Sequence, residues 1–168
     1  MARRKRIKQL SLLPLLEEEW HVLTLYAPYG DLLVAGLKLW ETRPKGVTSQ
    51  LPIRLFLHTA HQKMGERERE VAERYLGPLY KPQYGKIIGV GKLVKVVKMT
   101  PRFINKQPSE EIDMGNWKPG RCAWKIIQIE KFRVPVPATG CQAAPWKVPQ
   151  NSDLRRRILE VWTPPQAS

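Results

Sequence analysis

Short apolar runs separated by prolines, glycines and charged clusters set the rhythm of this chain. His21-Val-Leu-Thr-Leu25 predicts a short strand. Pro28 suits the first turn of a helix, where its missing N–H costs nothing, and Asp31-Leu-Leu-Val-Ala35 continues that helix until Gly36 ends it. A second strand is predicted through Leu39 to Arg43, stopped by Pro44, which cannot donate to a ladder. Ile53 to Thr59 predicts a buried strand, and Met64 to Leu76 a helix with Gly77 as its stop. The GluArgGluArgGlu run in that helix reads as a solvated face. Lys86 to Met99 carries the longest β pattern; its alternation slips near Gly89 and Gly91, which predicts a bulge or bend. Thr100 to Gly120 has three prolines and no periodicity, so it is predicted as a long loop, and such loops are often functional. Arg121 to Val134 predicts another strand, stopped by Pro135 and Pro137. Asn151 to Trp162 predicts a closing helix with Ser152 as N-cap and Leu154, Ile158, Val161 and Trp162 on one apolar stripe.

Five or six strands with two or three helices, and no repeating strand-helix-strand order, predict an α+β domain on a small mixed sheet. The chain divides into a basic N-terminal arm (1–19), a β-rich domain (20–148) and a C-terminal helix packed on it with a short tail (149–168). Its 168 residues suffice for one real core. No apolar run approaches the roughly 20 residues a membrane helix needs. Leu10 to Leu16 is broken by Pro14 and followed by Glu17-Glu18-Glu19, which argues against a signal peptide.

Charge changes this picture most. Lys and Arg number 29 against 15 Asp and Glu, a net +14. Ten of the 15 acids lie in three clumps, and Arg74 to Lys106 holds eight Lys or Arg with no carboxylate. Such a field concentrates polyanions, and nucleic acid is the commonest in a cytosol. Cys122 and Cys141 lack CxxC spacing and read as reduced thiols of a cytoplasmic protein. The three histidines have no companion ligands, so neither a metal nor a cofactor is predicted.

Gly36, Lys38, Glu41 and Arg43 supply the candidate chemistry. Gly36 can leave a helix through a left-handed conformation. Lys38 follows at the junction, where a flexible ammonium can meet a phosphate. Glu41 and Arg43, two apart on a strand, point to one face, while Thr42 points to the other. Aromatic residues interleave with the cations, and among them Tyr29 and Trp146 are the candidates for stacking on bases.

These residues fill the pattern GxKxxExR, and the segment from His21 to Pro44 resembles the opening of an ASCH domain. Ile53 to Thr59, Ile87-Ile-Gly-Val-Gly91, Gly120-Arg-Cys-Ala-Trp124 and Gly140 to Trp146 resemble later segments of that family, so the resemblance spans about residues 20 to 148. It implies a small PUA-like mixed β-barrel whose mouth binds RNA or a nucleotide-like ligand. The candidate site draws on Tyr29, Gly36, Lys38, Glu41, Arg43, His58, Arg121 and Trp146, with single-stranded RNA as the expected partner and a monomer as the expected state. Some members of the wider group resemble ribonucleases; others resemble amidohydrolases with a Thr nucleophile three residues after the motif Lys. That position is Glu41 here, so the nucleophile is absent. Lys38 and Glu41 are then the reactive pair if the protein is an RNA-directed or nucleoside-directed enzyme. A protein-interaction adaptor meeting an acidic partner is the third reading.

Overall fold

The computed structural model describes residues 19–140 and 145–163. The basic arm, Cys141 and the end of the tail fall outside them. Within these residues the chain is an α+β structure in the order β1 (Trp20–Leu25), α1 (Tyr29–Val34), β2 (Trp40–Arg43), β3 (Ile53–Thr59), α2 (Glu66–Leu76), β4 (Lys86–Lys98), α3 (Pro101–Ile104), α4 (Ser109–Asp113), β5 (Cys122–Pro137), β6 (Trp146–Val148) and α5 (Asp153–Val161). The six strands form one mixed sheet in the order β2-β5-β4-β3-β1-β6. The pair β1 and β3 is parallel, with Leu23 opposite Leu57, and the other pairings are antiparallel.

The two parallel strands are buried on both faces, which is why they read as nearly continuous apolar runs. Leu23, Leu25, Leu55 and Leu57 face a core with Leu33, Ile88, Leu93, Trp124 and Ile126. Trp20, Val22 and Phe56 face a second core, which α5 closes with Ile158 and Trp162. In that core the Trp20 and Phe56 rings lie 4.7 Å apart, and Phe56 meets Trp162 edge-on at 5.5 Å. Ser152 caps α5 by accepting from the N–H of Arg155 at 3.2 Å.

The sheet departs from the expected barrel in one respect. It is open: among the described residues β2 and β6 are its two edges and do not pair. The reason lies at β2, whose outer edge is occupied by the segment after β4. The carboxylate of Glu111 accepts from the N–H groups of Leu39 and Trp40, each at 2.9 Å. The Thr42 hydroxyl accepts from Asn116 N–H at 2.9 Å, and the Thr42 carbonyl accepts from Arg121 at 3.4 Å. No strand can add where those groups are already taken.

The same segment accounts for the helix count, five among the described residues rather than two or three. Residues 100–120, expected as a loop, carry α3 and α4. Thr100 caps α3 through the N–H of Phe103 at 3.2 Å, with Pro101 in the first turn. The excursion is pinched shut at its base, where Met99 N–H donates to Arg121 O at 2.7 Å and Gly120 N–H to Met99 O at 3.0 Å.

The slip expected at Gly89 and Gly91 is present as register shifts between β4 and β5. A Cβ on Gly89 would lie 2.6 Å from the Glu130 carbonyl oxygen, so only glycine permits this approach. Strand β5 does not stop at Pro135 but continues to Pro137. Pro135 falls within the widest register shift, and β2 pairs with β5 only over residues 122–125, so no ladder bond is demanded of its missing N–H.

Candidate functional site

Gly36 sets up the site. With φ +72° it turns α1 in a left-handed step, and Leu37 N–H and Gly36 N–H close back on Leu32 O and Leu33 O, both at 3.0 Å. This Schellman closure satisfies the last carbonyls of α1 and aims the chain into β2. Lys38, immediately after the turn, is 2 % exposed. Burying an ammonium is costly unless it is paired and hydrogen-bonded. Its Nζ donates to the Trp40 carbonyl at 2.6 Å and lies 3.6 Å from Glu41 Oε2. The Tyr29 ring is 5.8 Å from the same Nζ. Glu41, itself 6 % exposed, has Arg43 Nη1 3.9 Å from its other oxygen. Glu41 and Arg43 thus share a face, as their spacing requires, and the Arg43 guanidinium lies 5.9 Å from the Trp124 ring.

Around this buried pair opens a cleft of about 580 Å³. Tyr26 comes from the turn after β1, Tyr29 from the start of α1, Arg67 and Glu68 from the start of α2, and Gly115, Asn116, Lys118 and Arg121 from the excursion after β4. Its lining holds five Lys or Arg side chains and two Glu. Burial raises the Tyr29 hydroxyl above its ordinary pKa, with the negative charge of Glu68 adding to the effect, so the phenol remains a neutral hydrogen-bond donor. Arg121 is held in place by the Asn116 carbonyl at 3.1 Å as well as by Thr42. Thr42, expected on the opposite strand face, also borders the cleft, because β2 is an edge and the opening wraps around it.

Of the eight residues singled out from sequence, Tyr29, Lys38, Glu41, Arg43 and Arg121 line this cleft. Gly36 does not line it but forms the turn that delivers Lys38. His58 and Trp146 lie in a different niche. His58, 1 % exposed, contacts Thr24 Oγ1 through Nδ1 at 3.2 Å and the Ala138 carbonyl through Nε2 at 3.0 Å. The carbonyl requires a hydrogen on Nε2, so Nδ1 accepts from the Thr24 hydroxyl. Burial lowers the His58 pKa from 6.5, in keeping with a neutral ring. Trp146 Nε1 donates to the same Thr24 oxygen at 3.5 Å. These groups tie β6 and the end of β5 to the sheet.

Sequence reasoning missed Arg67 and Glu68, which looked like part of a solvated helix face, and Asn116 and Lys118 in an aperiodic stretch. It also missed Glu111, 2 % exposed, which holds the backbone of Leu39 and Trp40. The length of the 100–120 stretch was the available signal. Among the described residues, no group of His, Cys, Asp and Glu is arranged to hold a metal ion, and no helix is long and apolar enough to cross a membrane.

Neither a family model nor a curated protein matches this sequence. Solved structures do. The crystal structure of ASCH from Zymomonas mobilis superposes with a TM-score of 0.51 at 12 % identity, covering 84 % of this chain and 94 % of that one. A Tyr→Phe mutant of that protein matches with TM-score 0.45 at 16 % identity, over 70 % of this chain and 75 % of that one. A Ser→Ala mutant matches with TM-score 0.48 at 15 % identity, over 90 % and 87 %. At such identities the likeness speaks to architecture, and the architecture is that of an ASCH structure.

Proposed function

We propose that this ASCH-type domain binds single-stranded RNA, or a nucleotide, in the cleft between β2, the start of α2 and the 100–121 segment. The observation that carries the proposal is the buried Lys38–Glu41 pair on the cleft floor, under a rim dominated by cations. The rim guanidiniums and ammoniums suit phosphate oxygens, and Tyr26 and Tyr29 present rings on which bases can stack, at about 1–3 kcal/mol per base. Glu41 accepts hydrogen bonds only, so it selects ligand groups that donate, such as a base amine. A net charge of +14 brings polyanions to the surface before any specific contact forms. In this reading the protein works as a monomer in the cytoplasm.

The test is equilibrium binding of a short single-stranded RNA across a salt series. Wild type should lose affinity steeply with salt. The double variant Arg67→Ala/Lys118→Ala, altered only at exposed rim positions, should bind about tenfold more weakly with a log–log slope shallower by about 1. Unchanged affinity and slope in that variant, with the fold intact, would remove the cleft from the interaction.

The 3.6 Å approach of Lys38 Nζ to Glu41 supports a second reading, acid–base work on RNA by that pair. Turnover of a single-stranded RNA that disappears in both Lys38→Met and Glu41→Gln would establish it, and turnover persisting in both would end it.

A further inference from the structure

The cleft uses one face of β2; the other face of the same sheet carries three lysines without a carboxylate partner among the described residues. Leu93, Trp124 and Ile126 point into the core beneath α1. Their alternating neighbours Lys92, Lys125 and Ile127 therefore stand on the opposite face. Lys95 is directly opposite Lys125 in the β4–β5 ladder, and Lys125 is directly opposite Trp40 in the β2–β5 ladder. The row Lys95, Lys125, Trp40 thus crosses three strands on one side, and the Lys125 ammonium lies 5.0 Å from the Trp40 ring centre. Lys92 stands on β4, roughly 10 Å along the strand from Lys95 at about 3.3 Å per residue.

Two lysines directly opposite one another repel, and such a pair weakens a sheet. Among the described residues no carboxylate lies within ion-pair distance of Lys92, Lys95 or Lys125, and Lys125 has the Trp40 ring as its attractive contact. The carboxylates of Glu19, Glu41, Asp113, Asp153 and Glu160 pair with other cations. The run from Arg74 to Lys106, with its eight cations and no carboxylate, supplies two of these three lysines.

We propose that Lys92, Lys95 and Lys125, ending at Trp40, form a second contact surface that takes the sugar–phosphate backbone of a nucleic-acid strand. The occupant follows from continuity with the cleft. Strand β2 is the sheet edge, Trp40 is on one of its faces and Glu41 and Arg43 are on the other, and the cleft already reaches around to Thr42. A single strand passing over the 100–121 segment, which covers this edge and itself lines the cleft, meets the cleft with one part and the lysine row with the next. A phosphate between Lys95 and Lys125 replaces their repulsion with two attractions. The surface contributes affinity without base readout, since ammoniums act on phosphates as point charges.

This surface extends the cleft reading but is tested separately from it, by comparing a mononucleotide, which fits the cleft alone, with an oligonucleotide long enough to reach both. In Lys92→Gln/Lys95→Gln/Lys125→Gln the oligonucleotide affinity at low salt should fall at least about tenfold. The magnitude of the log–log salt slope should drop by about 2, the loss of three phosphate contacts on a single strand. Mononucleotide affinity should stay at the wild-type value, and the thermal midpoint should hold or rise because a repulsive pair is gone. If the mononucleotide never binds while the oligonucleotide still loses affinity in the triple variant, the lysine surface stands and the cleft reading falls. Wild-type oligonucleotide affinity and slope in the triple variant overturn the proposal. Displacement of the oligonucleotide by polyglutamate of equal charge at equal concentration also overturns it, in favour of an acidic protein partner.

Discussion

Lys38 is a buried cation whose position depends on two residues that never touch a ligand in this account. Gly36 turns the chain into β2, and Glu111 holds the N–H of Trp40, the residue whose carbonyl accepts from the Lys38 ammonium. Gly36→Ala meets no atom within 4 Å, so its cost is the left-handed backbone alone. A loss of about 1 kcal/mol, read as a lower urea midpoint at unchanged m-value, is expected. Glu111→Gln turns an amide N–H₂ toward a backbone donor that the carboxylate had satisfied. It should lower stability by about 2–3 kcal/mol and raise the reactivity of the Lys38 amine toward an acylating reagent, measured by peptide mass. His58 gives a pH signature. Its pKa is lowered in the folded state, so on acidification the unfolded chain takes up the proton first. Stability is therefore full above about pH 7 and falls as pH drops through 6.5, the ordinary value. Buried His21 acts in the same direction. His58→Asn should flatten the fall in unfolding free energy between about pH 7 and 5.5, leaving the His21 share.

At the scale of elements, the regular strands and long helices were legible because their signals are local. Alternation, Pro28, Gly36, Ser152 and the glycine slips in β4 each report a backbone requirement that one or two residues settle. What was hidden depends on distant partners. Helix α3, capped by Thr100, is one turn long and falls below any periodic signal. Glu111, acidic in an acidic clump, looked solvated because the two N–H groups it satisfies are 71 and 72 residues away. Arg67 and Glu68 looked like any surface pair, since only the packing of α2 beside α1 brings them to the cleft. His58 and Trp146 drew attention by residue type, yet their bonds to Thr24 and Ala138 assign them to holding strands together. The open sheet has the same origin as these misses: the 100–121 segment covers β2, and sequence alone gave no reason to place it there. The C-terminal helix is testable by its own chemistry. Trp162→Ala removes a ring packed on Trp20 and Phe56 and should cost about 3–5 kcal/mol in denaturant unfolding, whereas Ser152→Ala should cost about 1 kcal/mol.

For the whole molecule, a surplus of 14 positive charges was plain in the sequence, but its division between two faces was not. The fold places Lys38, Arg43, Arg67, Lys118 and Arg121 around one opening at the β2 edge, and Lys92, Lys95 and Lys125 on the reverse of the sheet. The motif that suggested the architecture is thus also the hinge of the functional account, with its lysine and glutamate on the cleft floor and its tryptophan at the end of the lysine row. The measurement that tests the central claim most directly is residue-by-residue mapping of NMR chemical shifts while a short single-stranded RNA is titrated at low salt. The account predicts the largest, saturable shifts at Tyr26 and Tyr29, Lys38 to Arg43, and Gly115 to Arg121. Saturable shifts that spare all three segments would contradict it.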